Sequence, residues 1–255
     1  MRIDRRYLAV YGIVVAAVVG ALLIGPIPQD PAYHRFADSR ACGVVPNCLN
    51  VLSNLAFVLV GGFGLWTVGN WPDEIRPAFR VFWWGVFLTG FGSAWYHWAP
   101  DDARLVWDRL PMTLAFMGLF AAVLIDQFQI KPWLLPILVA TGLASIGAWL
   151  AFDDLRLYGL VQFLPPVVIL LIFALFPARR IARRQIYLAL ACYAAAKVAE
   201  LSDAEIFLAT SWISGHTLKH LLAAVAAGCL LSGKRLLPTA KSRRCLNKRL
   251  RPTNA

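Results

Sequence analysis

The chain holds four histidines, and three of them fall in two short motifs. Gly92-Ser93-Ala94-Trp95-Tyr96-His97 sets Ser93 and His97 four residues apart, and Ser214-Gly215-His216-Thr217-Leu218-Lys219-His220 repeats that spacing with His216 and His220. Between them, Trp107-Asp108-Arg109 brings a carboxylate. Residues four apart share a helix face, so His216 and His220 can each aim a ring nitrogen at one cation, the geometric reason for H-x-x-x-H in zinc helices. His97 from another helix makes three ligands. Three histidines leave a fourth tetrahedral position for water, as in a catalytic site, whereas a structural site is closed by a fourth protein ligand. Zinc there lowers the pKa of water toward ~7 and polarises a carbonyl, which opens an amide or ester to attack. Asp108 is the expected acceptor of the water's proton, and Ser93 the expected donor to water or oxyanion. The competing reading is a set of interfacial histidines whose spacing is accidental.

The elements that must position these residues are membrane helices. Hydrophobic residues make up 59% of the 255 and charged ones only 15%, with mean hydropathy +0.62. Soluble domains carry roughly 25% charged residues, so a soluble globular protein is excluded. Crossing ~30 Å of hydrocarbon takes about 20 apolar residues per helix, with every backbone group bonded internally. Apolar runs at about 7–25, 47–69, 79–98, 111–126, 132–151, 157–176, 185–200 and 214–232 predict eight helices joined by short turns. The expected fold is an all-α multi-pass membrane protein: one domain over 1–255, with an extra N-terminal helix at 7–25, a seven-helix core bundle over 30–233 and a basic tail at 234–255. The first run is too long for a signal-peptide core and is read as a retained helix.

Sorting basic residues by side gives 18 with the N-terminus and five opposite, so both termini are expected in the cytoplasm of a protein of the cell (inner) membrane. His97, Asp108, His216 and His220 then all lie at helix ends on the outer face. Eight of the +11 charges sit in the acid-free segment 234–255, a juxtamembrane stretch expected to meet anionic lipid head groups. No motif for reading nucleic acid accompanies it, so no nucleic-acid partner is expected. No feature sets an oligomeric state. The five cysteines form no C-x-x-C pair; Cys42 and Cys48 could bond in an oxidising compartment, but free small hydrophobes are the favoured reading. Trp83, Trp84, Trp95, Trp98, Trp107 and Trp212 read as interface anchors. Lys197 and Glu200 at i, i+3 read as a local ion pair, or more sharply as groups beside the metal. Lys219 either holds a lipid phosphate or snorkels to the surface.

Ser93-x-x-x-His97, then Asp108, then His216-x-x-x-His220 at the start of the last span resembles the signature of the alkaline ceramidase family, and of the wider membrane-hydrolase superfamily that includes the adiponectin-type receptors. Asn50-Val51-Leu52-Ser53-Asn54 resembles that family's first-helix motif. The resemblance implies zinc held by His97, His216 and His220, with Asp108 and Ser93 as catalytic partners. It also implies a calcium site, but Asn47 stands where a glutamate is expected and the loop offers only Asp30 and Asp38, which speaks against calcium. Asp38 and Arg40 are expected either as an ion pair closing the loop over the site or as solvated charges. The implied activity is a zinc-dependent intramembrane amidase that splits ceramide or a similar N-acyl lipid into fatty acid and amine, its substrate arriving laterally from the membrane. The alternative is a receptor-like or lipid-binding zinc protein with little turnover; a transporter is disfavoured by the lack of inverted repeats.

Overall fold

The computed structural model describes residues 4–232; the basic segment expected to meet anionic lipids, 234–255, lies outside them. Ten α-helices occur among the described residues, and no strand. They are α1 (Arg5–Leu23), α2 (Cys48–Leu52), α3 (Leu55–Thr67), α4 (Arg76–Trp98), α5 (Asp102–Phe128), α6 (Leu134–Phe152), α7 (Arg156–Leu175), α8 (Arg183–Leu201), α9 (Asp203–Thr210) and α10 (Gly215–Gly228). The protein is a multi-pass helical membrane protein. Five segments are long and apolar enough to span a bilayer: α1, α2 with α3, α5, α6 and α7. The other four helices, α4, α8, α9 and α10, depart from that profile in composition or in length. Helix α4 bears two arginines and His97, α8 bears Arg183, Arg184, Lys197 and Glu200, α10 is only 14 residues long, and the short α9 has 8.

Two departures from the eight expected helices have local causes. The second apolar run is broken at Ser53 and Asn54, where both side chains seize the Asn50 carbonyl, at 3.1 Å from Ser53 Oγ and 2.7 Å from Asn54 Nδ2. Such side-chain bonds compete with the helical ladder, and the backbone tightens to an i+3 bond from Asn54 N to the Val51 carbonyl. The last run, expected from 214, is preceded by the short helix α9, whose polar first turn (Asp203, Glu205) hid it among loop residues.

Helix α4 is central, packed along α5 and α3; α10 rests on α8 and α3, α6 joins α5 to α7, and α1 lies on the outside of α7. Helix α8 packs closely on α10 but scarcely meets α7. The main core, with Phe79, Trp83, Ala121, Ala122 and Ile172, fills the bundle away from the histidines, so Trp83 is a core residue and not an interface anchor. A smaller cluster of Tyr96, Leu105, Ile146, Trp149 and Tyr158 supports the histidine end. Large apolar side chains such as Leu22, Phe152, Leu201 and Leu208 face outward, as lipid-facing surfaces require.

The 24–47 segment crosses the histidine end. Its start is tied to the α6–α7 turn, where Gln29 N donates to Asp153 (3.0 Å) and Leu155 N to the Ile27 carbonyl (2.8 Å). Its far end is closed by a Cys42–Cys48 disulfide. This corrects the expectation of free thiols: the five residues between the cysteines return the chain upon itself at the start of α2, a proximity that spacing alone does not reveal.

Candidate metal centre

His97 occupies the last turn of α4 and His216 and His220 the first turns of α10. Helix α10 starts there because Ser214 accepts the Thr217 N–H (3.1 Å) and Asp203 accepts the His216 N–H (2.7 Å), satisfying two of the donors a helix N-terminus leaves open. The approach is close: a Cβ at Gly215 would lie 2.1 Å from the Ala199 carbonyl oxygen, so only glycine lets α10 begin against α8. The three imidazoles are buried, with ring centroids 4.8, 4.8 and 4.9 Å apart and ligand-capable nitrogens all within 4.8 Å of one another. His97 and His216 face each other Nε2 to Nε2 at 3.2 Å.

The donor set fits a cation. Ser53 spends its one O–H on the Asn50 carbonyl, so toward His220 Nδ1, at 2.8 Å, its oxygen must accept. His220 is thereby fixed with its proton on Nδ1 and a lone pair on Nε2. That Nε2 is buried and finds no partner among the described residues, a state expected of a ligand nitrogen and otherwise costly. Asn50 adds a second tie, accepting from Thr217 Oγ1 (2.7 Å) on the turn of α10 between the two histidines.

Ser93 of α4 and Asp108 of α5 come together across the α4–α5 contact, both buried and both lining one cavity. Pro111 lacks an N–H for the Trp107 carbonyl, and that freed carbonyl lies against Gly92, where a Cβ would sit 1.9 Å from its oxygen. The residue after each partner in this contact is the chemical one, so the proline and the glycine together set Ser93 beside Asp108. Arg109, also buried, is caged by Tyr33, Trp149 and Tyr158, its guanidinium carbon 5.2, 4.5 and 4.8 Å from the ring centroids.

Ser93, Asp108 and His220 line the polar end of a cavity of about 1180 Å³, its open mouth included. From His220 to Ala227 the same cavity follows α10 for seven residues, about 10 Å, between apolar side chains such as Phe57, Phe82, Val86 and Leu119. Lys197, Glu200 and Lys219 complete its polar end. Lys219 Nζ lies 2.7 Å from Glu200 Oε1 and Lys197 bonds Glu200 Oε2, so Lys219 neither snorkels outward nor stands alone.

The 24–47 segment lies over the histidines. Phe36 packs its ring 4.7 Å from His97 and 4.4 Å from His216, and the Ala37 N–H donates to Asp203 Oδ2 (2.9 Å). Asp38 and Arg40 form the ion pair, and Arg40 continues to the carbonyls of Ser211 and Trp212 (3.2 and 2.8 Å). Those bonds from Arg40 hold the Asp38 carboxyl below the usual carboxylate range. Asn47, at the expected glutamate position, donates to the His97 carbonyl (2.9 Å).

All five side chains singled out by spacing are thus brought to one end of the bundle. Ser53, Asp203, Thr217 and Phe36 were missed as members of the site. Ser53 had a signal, since it belongs to the Asn50–Asn54 motif; Asp203 and Phe36 sit in segments with no pattern.

A comparison with curated proteins finds no match. The family model for ceramidases matches residues 40–217, more than half of the chain, and takes in Ser93, His97, Asp108 and His216. The chain belongs to the ceramidase family, hydrolases of an amide bond in lipids.

Proposed function

We propose that the protein is a zinc-dependent intramembrane amidase that cleaves ceramide or a similar N-acyl lipid to a fatty acid and an amine. The observation that carries this reading is the buried, unpartnered Nε2 of His220 converging with His97 and His216 at the polar end of an apolar cavity. His97, His216 and His220 would hold the ion, which when bound supplies Lewis acidity to the amide carbonyl and acidity to water. Asp108 takes the proton of the attacking water and returns it to the leaving amine; Ser93, beside it, gives its one O–H to the oxygen on which negative charge develops. The apolar stretch lodges the acyl chain, and Phe36 with the 24–47 segment keeps bulk water from the reacting carbonyl. The N- and C-termini are assigned to the cytoplasm and the site to the outer face.

Metal content and lipid turnover of the purified protein test the proposal together. The expected result is one zinc per chain and fatty-acid release that stops on chelation and returns with zinc. A fully metallated protein that releases fatty acid from no N-acyl lipid would instead establish the receptor-like alternative.

A further inference from the structure

The polar end of the cavity holds more charge than amide hydrolysis of a neutral lipid needs. Two lysines and one glutamate from α8 and α10 line it, one carboxylate oxygen bonded to each ammonium. Asp108, the other carboxylate lining the cavity, faces both Lys219 and the caged Arg109. Asp203 is committed to the N–H groups of Ala37 and His216. Three buried or half-buried cations at this end, Arg109, Lys197 and Lys219, are therefore met by two carboxylates, Asp108 and Glu200, and one positive charge is left over. In a membrane domain such a charge is expensive and is retained where it has a partner to meet.

The two ammoniums are also placed in sequence along a route. Lys219 Nζ is 3.4 Å from His216 Nε2, at the reacting end. Lys197 lies a turn away on α8, its side chain twice as exposed as that of Lys219 (29% against 15%). It stands over the ring of Phe163 of α7, 5.4 Å away, where α7 and α8 scarcely touch. Tyr193, bonded to Gln162 of α7 (3.3 Å), continues this polar wall, whereas the opposite walls are apolar. Each ammonium has three donors and uses one on Glu200, so both keep donors for a ligand in the cavity.

We propose that Lys197 and Lys219 recognise an anionic group on the lipid, so that the preferred substrate is an N-acyl compound whose amine half carries a carboxylate or a phosphate. This rests on the amidase reading for the reaction but not for the binding. Lys197 receives the anion at the α7–α8 gap; Lys219 holds it beside the amide, with Glu200 keeping the two ammoniums from repelling each other apart.

Binding is measured on the full-length protein in non-ionic detergent after chelation, by calorimetry, with two matched pairs. N-palmitoylglycine against N-palmitoylethanolamine reads a carboxylate, and ceramide 1-phosphate against ceramide reads a phosphate. The anionic member of at least one pair should bind about tenfold or more tightly, and Lys197→Met and Lys219→Met should each reduce that preference to about twofold or less, while Lys197→Arg keeps it. Equal affinity within both pairs overturns the proposal, as does a preference that survives both methionine variants. The wild-type comparison stands even if a variant fails to fold. Fatty-acid release from the same four lipids by the zinc-loaded protein is read separately. Selective binding without release would sink the amidase reading and leave the lysine site standing.

Discussion

Ser53 contributes to the site through another residue, and its effect can be separated from that of Asp108. By accepting from His220 Nδ1 it fixes the tautomer and the ring, so Ser53→Ala removes an outer partner of a ligand and should weaken zinc affinity about 10–100-fold. Competition with a chelator of known affinity measures this, and unchanged affinity would refute the role. Asp108→Asn keeps the size and removes the basic carboxylate. It should retain zinc yet lose about 10²–10⁴ in turnover, and near-normal hydrolysis would show that another group moves the proton. His216→Ala or His220→Ala should instead lose most of the metal, since two imidazoles hold zinc weakly; full occupancy in either would remove the assignment. Spacing made the histidines legible because i, i+4 geometry is a property of any helix. Ser53 was not legible as a partner, because its bond to His220 joins elements 167 residues apart in the chain.

At the scale of elements, the site depends on two helices approaching more closely than side chains ordinarily allow. Gly92 admits the Trp107 carbonyl that Pro111 left without a donor, and the residues that follow, Ser93 and Asp108, meet as a result. Gly92→Ala should therefore push α4 from α5, lowering both thermal stability and turnover. Gly147→Ala on α6, where a Cβ meets nothing within 4 Å, should leave both unchanged or raise stability slightly. Equal behaviour of the two variants in a thermal unfolding series would show that the α4–α5 approach is not limiting. The proline and glycine were visible in the sequence as helix-disfavouring residues, but nothing there shows that one fills the space the other leaves. The 24–47 segment carries a pH dependence. Arg40 depresses the Asp38 pKa, so the ion pair contributes at neutral pH and is lost as pH falls through that lowered value, below the usual carboxylate range. Hydrogen exchange at the Arg40 amide, which donates to Asp38 Oδ1, should speed up in that acid window and at all pH values in Asp38→Ala, which has no side-chain acceptor.

For the whole molecule, composition alone established a bundle of membrane helices, because 15% charged residues cannot cover a water-facing surface. It did not establish the ten helices of the described residues or the segment over the site: Ser53 and Asn54 divert backbone bonds and split the second run, α9 precedes α10, and a disulfide closes the loop. That disulfide bears on orientation. Cys42–Cys48 lies at the same end of the bundle as the histidines, and disulfides persist on the oxidising side of a membrane. The sequence favours the same orientation, with 18 basic residues expected on the N-terminal side and five opposite, since Lys and Arg in short loops stay with the cytoplasm. Ala103 is exposed in the first turn of α5, next to the site, and Cys245 lies beyond the described residues in the basic tail. A cysteine placed by Ala103→Cys should react with a membrane-impermeant thiol reagent in intact cells, while Cys245 should react only after permeabilisation. The reverse pattern would turn the bundle over, move the site to the cytoplasmic face, and require the substrate to come from the inner leaflet. The two outcomes are chemically distinct for the lysine pair as well: with the site outward, its anionic lipid must be drawn from the outer leaflet.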